Sequence, residues 1–155
     1  MPLSAIDGPA IDGRYVLAEP IEVVEARRVE AVERSVAALP GWIRPFARPL
    51  VDRAAHGCAR WALSLDPVEV HVACDADGAL IAYRGGERVV DGPDGRRYTI
   101  GVEVTDEDVV VSWTGAAGSL RTTYHPDALG LDVTREVSSA RLPEPVVWTA
   151  RYRRE

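Results

Sequence analysis

The sequence predicts a single, mainly β domain in which an antiparallel meander closes into a roughly eight-stranded barrel, with an N-terminal helical segment capping one end. Its 155 residues are the length of one domain with its own core. Apolar residues recur at helical spacing as far as residue 39 and at every second position after residue 57. Turn-forming Gly, Pro and Asp residues separate the later apolar runs.

The chain divides into three consecutive parts within the single domain. Residues 1–19 are expected to form a tail that contains either no structure or a first edge strand at 15–18. Residues 20–57 carry the helical pattern and form the predicted cap. Residues 58–154 carry the alternating pattern and form the predicted barrel.

The helical cap begins at Pro20, because proline suits the first turn of a helix. An amphipathic helix is expected from there to Leu39. Pro45 and Pro49 then each lack an amide hydrogen and restrict the residue before them. The sequence therefore predicts no regular helix across these two prolines, and a short one only at about 50–56.

The predicted barrel begins with a strand before Pro67 and a hairpin, whose two strands are separated by the turn-forming run Asp75-Ala76-Asp77-Gly78. Short alternating runs continue to the end of the chain, at 88–90, 97–104, 109–114, 119–125, 129–137 and 146–153. Strands at this spacing without helices between them favour a meander, which closes into a barrel or folds as a sandwich to remove its edges.

Composition excludes several classes of partner and chemistry. A net charge of −6 repels a phosphate backbone, so no nucleic-acid partner is expected. The chain has no lysine, which removes Schiff-base chemistry, a pyridoxal-phosphate anchor and the usual phosphate-binding loop. No run of eighteen apolar residues and no leader pattern is present, so we expect a cytoplasmic protein without a membrane span.

The residues that most often carry metal or nucleophilic chemistry are few and scattered. Cys58 and Cys74 lie sixteen positions apart, without the paired spacing of a zinc or thiol redox motif, and are predicted to be reduced packing residues. His56, His71 and His125 have no mutual spacing that predicts a metal triad. No serine lies in a Gly-x-Ser-x-Gly context. The sequence therefore predicts no metal and no cofactor.

A helix, an aromatic, arginine- and proline-rich segment at 42–51, and a meander that ends in a long aromatic strand follow one another along the chain. This order resembles the calycin group of lipocalin-like barrels over residues 20–153. Gly13-Arg14-Tyr15 stands where that group carries Gly-x-Trp, with tyrosine in place of tryptophan. The resemblance implies a cavity for a small apolar molecule inside the barrel.

The aromatic residues are the candidate lining of such a cavity, because the alternation places most of them on apolar strand faces. The same aromatics could instead fill a solid core. The candidate ligand-binding residues are Trp42, Phe46, Trp61, Tyr98, Trp113, Tyr124, Trp148 and Tyr152. In the 42–51 segment, Arg44 and Arg48 would reach a ligand carboxylate or carbonyl if the segment is a lid, and otherwise the segment plugs the barrel end.

Two carboxylates stand out because they lie within a strand. Asp132 and Glu136 alternate opposite Leu131. If their face points inward, they form a polar interior network with Arg121 or Arg151 that is able to act as acid or base. If it points outward, they are solvated surface charges.

Three functional hypotheses follow. The first is a binder of a small, largely apolar molecule. The second is a cofactor-free cyclase or isomerase acting on a polyketide-type substrate in the same cavity, because the chain resembles small β-barrel pericyclases of GC-rich bacteria in size and architecture. Such an enzyme needs little acid–base chemistry when it holds a flexible substrate in a reactive conformation. The third is an interaction module that uses an exposed sheet edge near Tyr15. The sequence leaves open whether the protein forms a homodimer.

Overall fold

The computed structural model describes residues 8–92 and 95–155; residues 1–7 of the predicted tail lie outside them. The described residues form ten strands and two helices. In chain order these are β1 (Gly13–Leu17), α1 (Ile21–Ala37), α2 (Arg44–Ala54), β2 (Arg60–Leu65), β3 (Glu69–Cys74), β4 (Gly78–Tyr83), β5 (Glu87–Asp91), β6 (Arg97–Val104), β7 (Val109–Gly115), β8 (Gly118–Pro126), β9 (Gly130–Ser138) and β10 (Val146–Arg154).

The strands form one antiparallel sheet in the order β4-β3-β2-β1-β10-β9-β8-β7-β6-β5. The predicted meander and barrel are confirmed, with ten strands rather than roughly eight. β1 pairs with both β2 and β10, so the strand expected near residue 15 is central and not an edge. The two edge strands come close to each other, and the Nη1 of Arg88 on β5 donates to the Ile81 carbonyl on β4 at 2.9 Å. The sheet is therefore a nearly closed barrel.

The first helix packs on β10 and covers the barrel end at which β10 begins. Its buried face includes Val24, Val32 and Val36, at the helical spacing that the sequence predicted. Ser35 Oγ donates to the Glu144 carbonyl at 2.5 Å, just before β10. These contacts fix α1 to the sheet from one side.

The second helix corrects a prediction, because α2 runs from Arg44 to Ala54 through both prolines. Pro45 lies in the first turn, where an amide hydrogen has no partner within the helix anyway. Pro49 lies inside the helix and removes one hydrogen bond. The residues around it are exposed, so water can satisfy the carbonyl that this loss leaves free.

The opposite end of the barrel is closed by the residues before β1. Gly8 lies between Leu65 on β2 and Val104 on β6, and a Cβ there would approach their side chains to 2.7 and 2.8 Å. Ile11 is buried, and its carbonyl accepts a 2.7 Å hydrogen bond from the hydroxyl of Tyr15. In the described part of the chain, neither helix is long and apolar enough to cross a bilayer.

Candidate functional site

The inward face of the sheet divides into a completely buried part and a half-exposed part. The inward side chains of β1, β2, β3, β9 and β10, here called the filled half, are nearly all buried. They include Tyr15, Trp61, Trp148 and Tyr152. These large side chains belong to the buried core.

The other part lies on β4 to β8, at the end that the helices cover. Five apolar side chains there point inward and are only half-buried; we call them the open rim. They are Leu80, Val90, Trp113 and Leu120, which pack against the core, and Tyr98. The rings of Tyr98 and Trp113 meet edge to face, with their centroids 5.8 Å apart. The open rim is therefore an apolar inner wall that solvent reaches.

The eight predicted lining residues separate accordingly. Six are inward, with Trp61, Tyr124, Trp148 and Tyr152 buried and Tyr98 and Trp113 on the open rim. Trp42 and Phe46 are 76% and 73% exposed at the beginning of α2. The structure does not bring these two together with the other six.

The two arginines of the 42–51 segment hold the helices together rather than reach into the barrel. Arg44 donates from Nε to the Leu39 carbonyl at 2.9 Å. Arg48 forms a two-bond ion pair with Glu33 of α1, at 2.8 and 2.9 Å. Their predicted role as ligand-binding groups of a lid is therefore not what the structure shows.

The interior contains one charged side chain that the sequence analysis did not single out, Arg135 on β9. It is 3% exposed and lies in the inward register between Val133 and Val137. Its Nη1 donates to the His56 carbonyl at 3.0 Å, and its Nη2 donates to Asp77 Oδ2 at 2.7 Å. Its Nε is buried and has no partner. Arg135 thus places one unpaired N–H inside the barrel.

Aromatic side chains surround this guanidinium. Its carbon lies 5.2 Å from the centroid of the Trp61 ring, within the range of a cation–π contact. The Trp61 ring meets that of Tyr124 edge to face at 5.1 Å. Burial raises the pKa of Tyr124, so its hydroxyl stays neutral. The unpaired Nε of Arg135 therefore lies among aromatic side chains in the buried part of the interior.

The remaining buried aromatics are satisfied and structural. Trp148 Nε1 donates to the Ala55 carbonyl at 3.0 Å, at the end of α2. The hydroxyl of Tyr152 donates to the Cys58 carbonyl at 2.5 Å, and burial raises the pKa of this tyrosine. Both bonds connect β10 to the segment between α2 and β2.

Asp77 balances the charge of Arg135 from the turn between β3 and β4. Burial works against the charge of Asp77, but its bonds to His56 and Arg135 outweigh burial and bring the pKa down to about 2. His56 contacts Asp77 through Nε2 and the Arg53 carbonyl through Nδ1, and the bond to Asp77 raises the pKa of His56. These contacts favour an imidazolium, a carboxylate and a guanidinium in a row.

Cys58 and Cys74 form a disulfide, with Cα atoms 5.9 Å apart, so the prediction that both are reduced is wrong for this structure. The pairing of β2 with β3 puts Cys74 opposite Trp61. Cys58 lies just before β2, so this register brings Cys74 close to it. The disulfide lies next to the guanidinium of Arg135, whose Nη2 is 3.8 Å from Cys58 Sγ.

Asp132 and Glu136 lie on the outward face of β9, as the second of the two alternatives predicted. Arg151 binds Asp132 at 3.3 Å and Asp127 at 2.6 Å. Arg121, opposite Glu136 on β8, is exposed. The predicted acid–base network therefore does not form inside the barrel.

His71 also faces outward, where its Nε2 lies 2.7 Å from Glu69. It lines an open groove of about 510 Å³ on the outer surface of β1 to β4. Small side chains such as Ala62, Ala73 and Ala79 form most of the floor of this groove. Leu80 of the open rim is also among the residues that line this groove, whereas Arg135 is not.

Alternation alone could have found Arg135. Leu131, Val133 and Val137 are inward, so residue 135 shares their face in an unbroken strand. Its partners could not have been found in this way, because His56 and Asp77 come from connecting segments whose positions depend on the closed barrel.

Comparisons with known proteins agree with this architecture. Neither a protein-family model nor a curated protein matches the chain. Among solved structures, apo lipid binding protein 8 of Caenorhabditis elegans is 16% identical, with a TM-score of 0.57 over 93% of this chain and 94% of that one. A fatty acid binding protein of Schistosoma mansoni in complex with arachidonic acid is 14% identical, with a TM-score of 0.57 over 94% and 96%.

A third structure, described as the REP1-NXSQ fatty acid transporter, is 12% identical, with a TM-score of 0.56 over 93% of this chain and 95% of that one. Identities this low carry information about the fold alone. The matches nevertheless cover 93–94% of this chain, in agreement with the expected resemblance to lipocalin-like barrels. The chain therefore has the calycin-type β-barrel fold.

Proposed function

We propose that this protein binds a small, largely apolar molecule inside its barrel, against the open rim. One observation carries the proposal: Leu80, Val90, Tyr98, Trp113 and Leu120 point inward but are only half-buried. Water contacts part of this apolar surface inside the barrel. Covering it with an apolar molecule removes that contact and lowers the free energy. The structural neighbours whose titles name fatty acids or lipids support the same class of ligand.

Arg135 adds a polar requirement to the ligand. Its Nε is a buried N–H without a partner, and leaving such a donor unpaired costs on the order of 1–3 kcal/mol. A carboxylate or carbonyl oxygen would satisfy the Arg135 Nε. We therefore expect a ligand with an apolar body and one acceptor group, and an anionic group is favoured because the partner is a guanidinium.

The cyclase or isomerase hypothesis has less support. Asp132 and Glu136, the carboxylates that would have offered acid–base chemistry inside the barrel, are outward. None of the three structural neighbours described above has a title that names such a reaction. Binding is consequently the function that we propose.

The first test is native mass spectrometry of freshly purified protein, followed by identification of any molecule that denaturation releases. Purified protein stripped of such a molecule would then be titrated with two fluorescent probes, anionic anilinonaphthalene sulfonate and neutral Nile red. We expect saturable binding of both. Absence of a released molecule together with absence of probe binding would contradict the proposal.

Adjacent residues of β5 give a matched pair for locating the site. Val90 belongs to the open rim, whereas Val89 points outward and is 63% exposed. We expect Val90→Asp to weaken Nile red binding by about tenfold or more, since a charge then faces the apolar ligand. Val89→Asp should leave Nile red affinity unchanged. Equal effects of the two variants would show that the probe does not bind at the open rim.

Arg135→Met tests the polar part of the proposal separately. We expect the variant to lower the affinity for the anionic probe by about tenfold, because one charge-assisted hydrogen bond is lost. The affinity for Nile red should stay unchanged. A thermal melt of the variant checks its folding. Equal weakening of both probes would show that Arg135 shapes the interior and does not receive an anion.

A further inference from the structure

The disulfide between Cys58 and Cys74 lies in a cluster of groups that could bind a metal ion if the bond were open. This cluster lies next to Arg135 of the proposed ligand site, but the inference does not depend on the proposed function. The two sulfurs and a carboxylate oxygen of Asp75 all lie within 4.8 Å of one another. Two thiolates and a carboxylate at this spacing are a donor set that suits Zn²⁺.

The carboxylate of this cluster is held in place by the main chain. Asp75 Oδ1 accepts hydrogen bonds from the amides of Ala59 and Arg60, at 3.0 and 3.2 Å. A carboxylate has about four acceptor positions, so these bonds leave lone pairs for a metal. Outer hydrogen bonds of this kind orient the ligands of metal sites in proteins. Asp75 is also exposed, which gives an ion a path from solvent.

Each sulfur has a hydrogen-bond donor beside it that would stabilise a thiolate. The amide of Asp77 donates to Cys74 Sγ at 3.2 Å. The Nη2 of Arg135 lies 3.8 Å from Cys58 Sγ. Because metals bind the thiolate and not the thiol, these donors favour the state that a metal requires.

We propose that the dithiol form of this protein binds one Zn²⁺ through Cys58, Cys74 and Asp75. Asp77 is the nearest further donor, with Oδ2 3.7 Å from Cys58 Sγ. Two Zn–S bonds of about 2.3 Å in tetrahedral geometry place the sulfurs roughly 3.8 Å apart. The Cα atoms are 5.9 Å apart, so rotation of the two side chains is sufficient to reach that spacing.

The chemistry of the conversion balances with a thiol as reductant. Two equivalents of thiol transfer two electrons and two protons to the disulfide, which gives two cysteine thiols and the disulfide of the reductant. Zn²⁺ then displaces the two thiol protons to solvent as both Zn–S bonds form. The oxidised and the zinc-bound forms therefore exclude each other.

A second group of potential ligands, Asp66, Glu69 and His71, lies on the described surface and provides an internal comparison. It contains no sulfur and is present in both redox forms. Zinc that binds there would bind the oxidised and the reduced protein alike. A difference between the two forms therefore reports on the cysteine cluster.

The test compares the two redox forms of the full chain. The protein is reduced with dithiothreitol, desalted without oxygen, and titrated with Zn²⁺ in competition with the chromophoric chelator 4-(2-pyridylazo)resorcinol. We expect one Zn²⁺ per reduced chain, bound at least 100-fold more tightly than by the oxidised chain. With Co²⁺ we expect a thiolate charge-transfer band and the visible bands of a tetrahedral site.

Variants assign the ligands. Cys58→Ser and Cys74→Ser should each abolish the tight site, and Asp75→Asn should weaken it by about tenfold. Asp66→Asn, in the other group, should have no effect. If reduction unfolds the chain, recovery of the far-ultraviolet circular dichroism on addition of Zn²⁺ supports the site.

Three results would overturn the proposal. The first is a folded, reduced protein with two titratable thiols that binds no more Zn²⁺ than the oxidised protein. The second is an unfolded, reduced protein that Zn²⁺ does not refold. The third is a disulfide that dithiothreitol cannot reduce without denaturant, since the thiolate site then never forms in the native chain.

Discussion

The filled half and the open rim are built from the same kinds of residue, yet only the first is sealed from solvent. Tyr15, Trp61 and Trp148 are buried, whereas Tyr98 and Trp113 are half-exposed on equally apolar strand faces. The difference comes from what packs on each side. The segment after α2 reaches β10 through hydrogen bonds of Trp148 and Tyr152, and the large apolar residues of α2 are exposed instead of covering the rim.

This comparison separates two uses of apolar side chains. In the filled half they bury area against each other, so they stabilise the fold. In the open rim part of their area still faces solvent, so that part remains available to a ligand. Substitutions should therefore lower mainly stability in the first region and mainly binding in the second.

The largest expected effect is that of Trp148→Ala in the filled half. It removes a buried indole and leaves the Ala55 carbonyl without its donor, so we expect the free energy of unfolding to fall by about 3–5 kcal/mol. Urea denaturation followed by circular dichroism measures it. Trp42→Ala, at an exposed position just before α2, is the control and should change stability by less than about 0.5 kcal/mol. Similar losses of stability in Trp148→Ala and Trp42→Ala would contradict the assignment of Trp148 to the stabilising, filled half.

Gly57→Ala tests how tightly the cap segment packs on the filled half. A Cβ at residue 57 would lie 2.5 Å from the Trp148 ring, which is held by its hydrogen bond and cannot easily shift. We expect a loss of about 1–3 kcal/mol from overpacking. At Gly41 a Cβ meets nothing within 4 Å, so Gly41→Ala should be close to neutral in the same denaturation experiment. A neutral Gly57→Ala would indicate a loosely attached cap.

Trp113→Ala on the open rim should show the opposite balance. The indole is half-exposed and loses one edge-to-face contact with Tyr98, so we expect a stability loss of roughly 1–2 kcal/mol. Nile red affinity should fall by about tenfold, because the ligand loses an aromatic wall. A large loss of stability with unchanged binding would assign Trp113 to the core.

The fold was largely predictable because alternation depends on local sequence only. Tyr98, Ile100 and Val102 share a face in any strand, whatever its neighbours are. The number of strands was harder, since the segment that forms β1 carries few apolar residues and is compatible with either a tail or an edge strand. The course of α2 was missed because a proline inside a helix is tolerated where water reaches the backbone.

The site was less predictable, because its polar members meet only through long-range register. Cys58 approaches Cys74 because β2 and β3 pair with Trp61 opposite Cys74. Asp77 and His56 reach Arg135 from two separate connecting segments. Such contacts follow from closure of the whole barrel, and no local pattern encodes them.

The smallest expected effect is that of Glu19→Gln, which tests how the cap is attached to the filled half from outside. Glu19 pairs with Arg27 of α1 at 2.8 Å and accepts a hydrogen bond from the amide of Arg151 on β10 at 2.9 Å. The bond from Arg27 lowers the pKa of Glu19. A carboxylate with a lowered pKa stabilises the folded state above its unfolded pKa, and that contribution disappears as the pH falls through the folded pKa.

We therefore expect Glu19→Gln to lower the free energy of unfolding by about 0.5–1 kcal/mol at pH 7, a modest amount because the ion pair is partly exposed. Below the unfolded pKa of the carboxyl, this difference between the two proteins should shrink as the pH falls. Denaturation curves of both proteins from pH 7 to pH 3 measure the difference. Glu22→Gln, on an exposed position of the same helix, should change stability by less at every pH. If the difference between wild type and Glu19→Gln does not shrink on acidification, charge at residue 19 does not hold α1 to β10. The hydrogen bonds from Ser35 to the Glu144 carbonyl and from Arg27 to the Thr149 carbonyl then carry the attachment of α1.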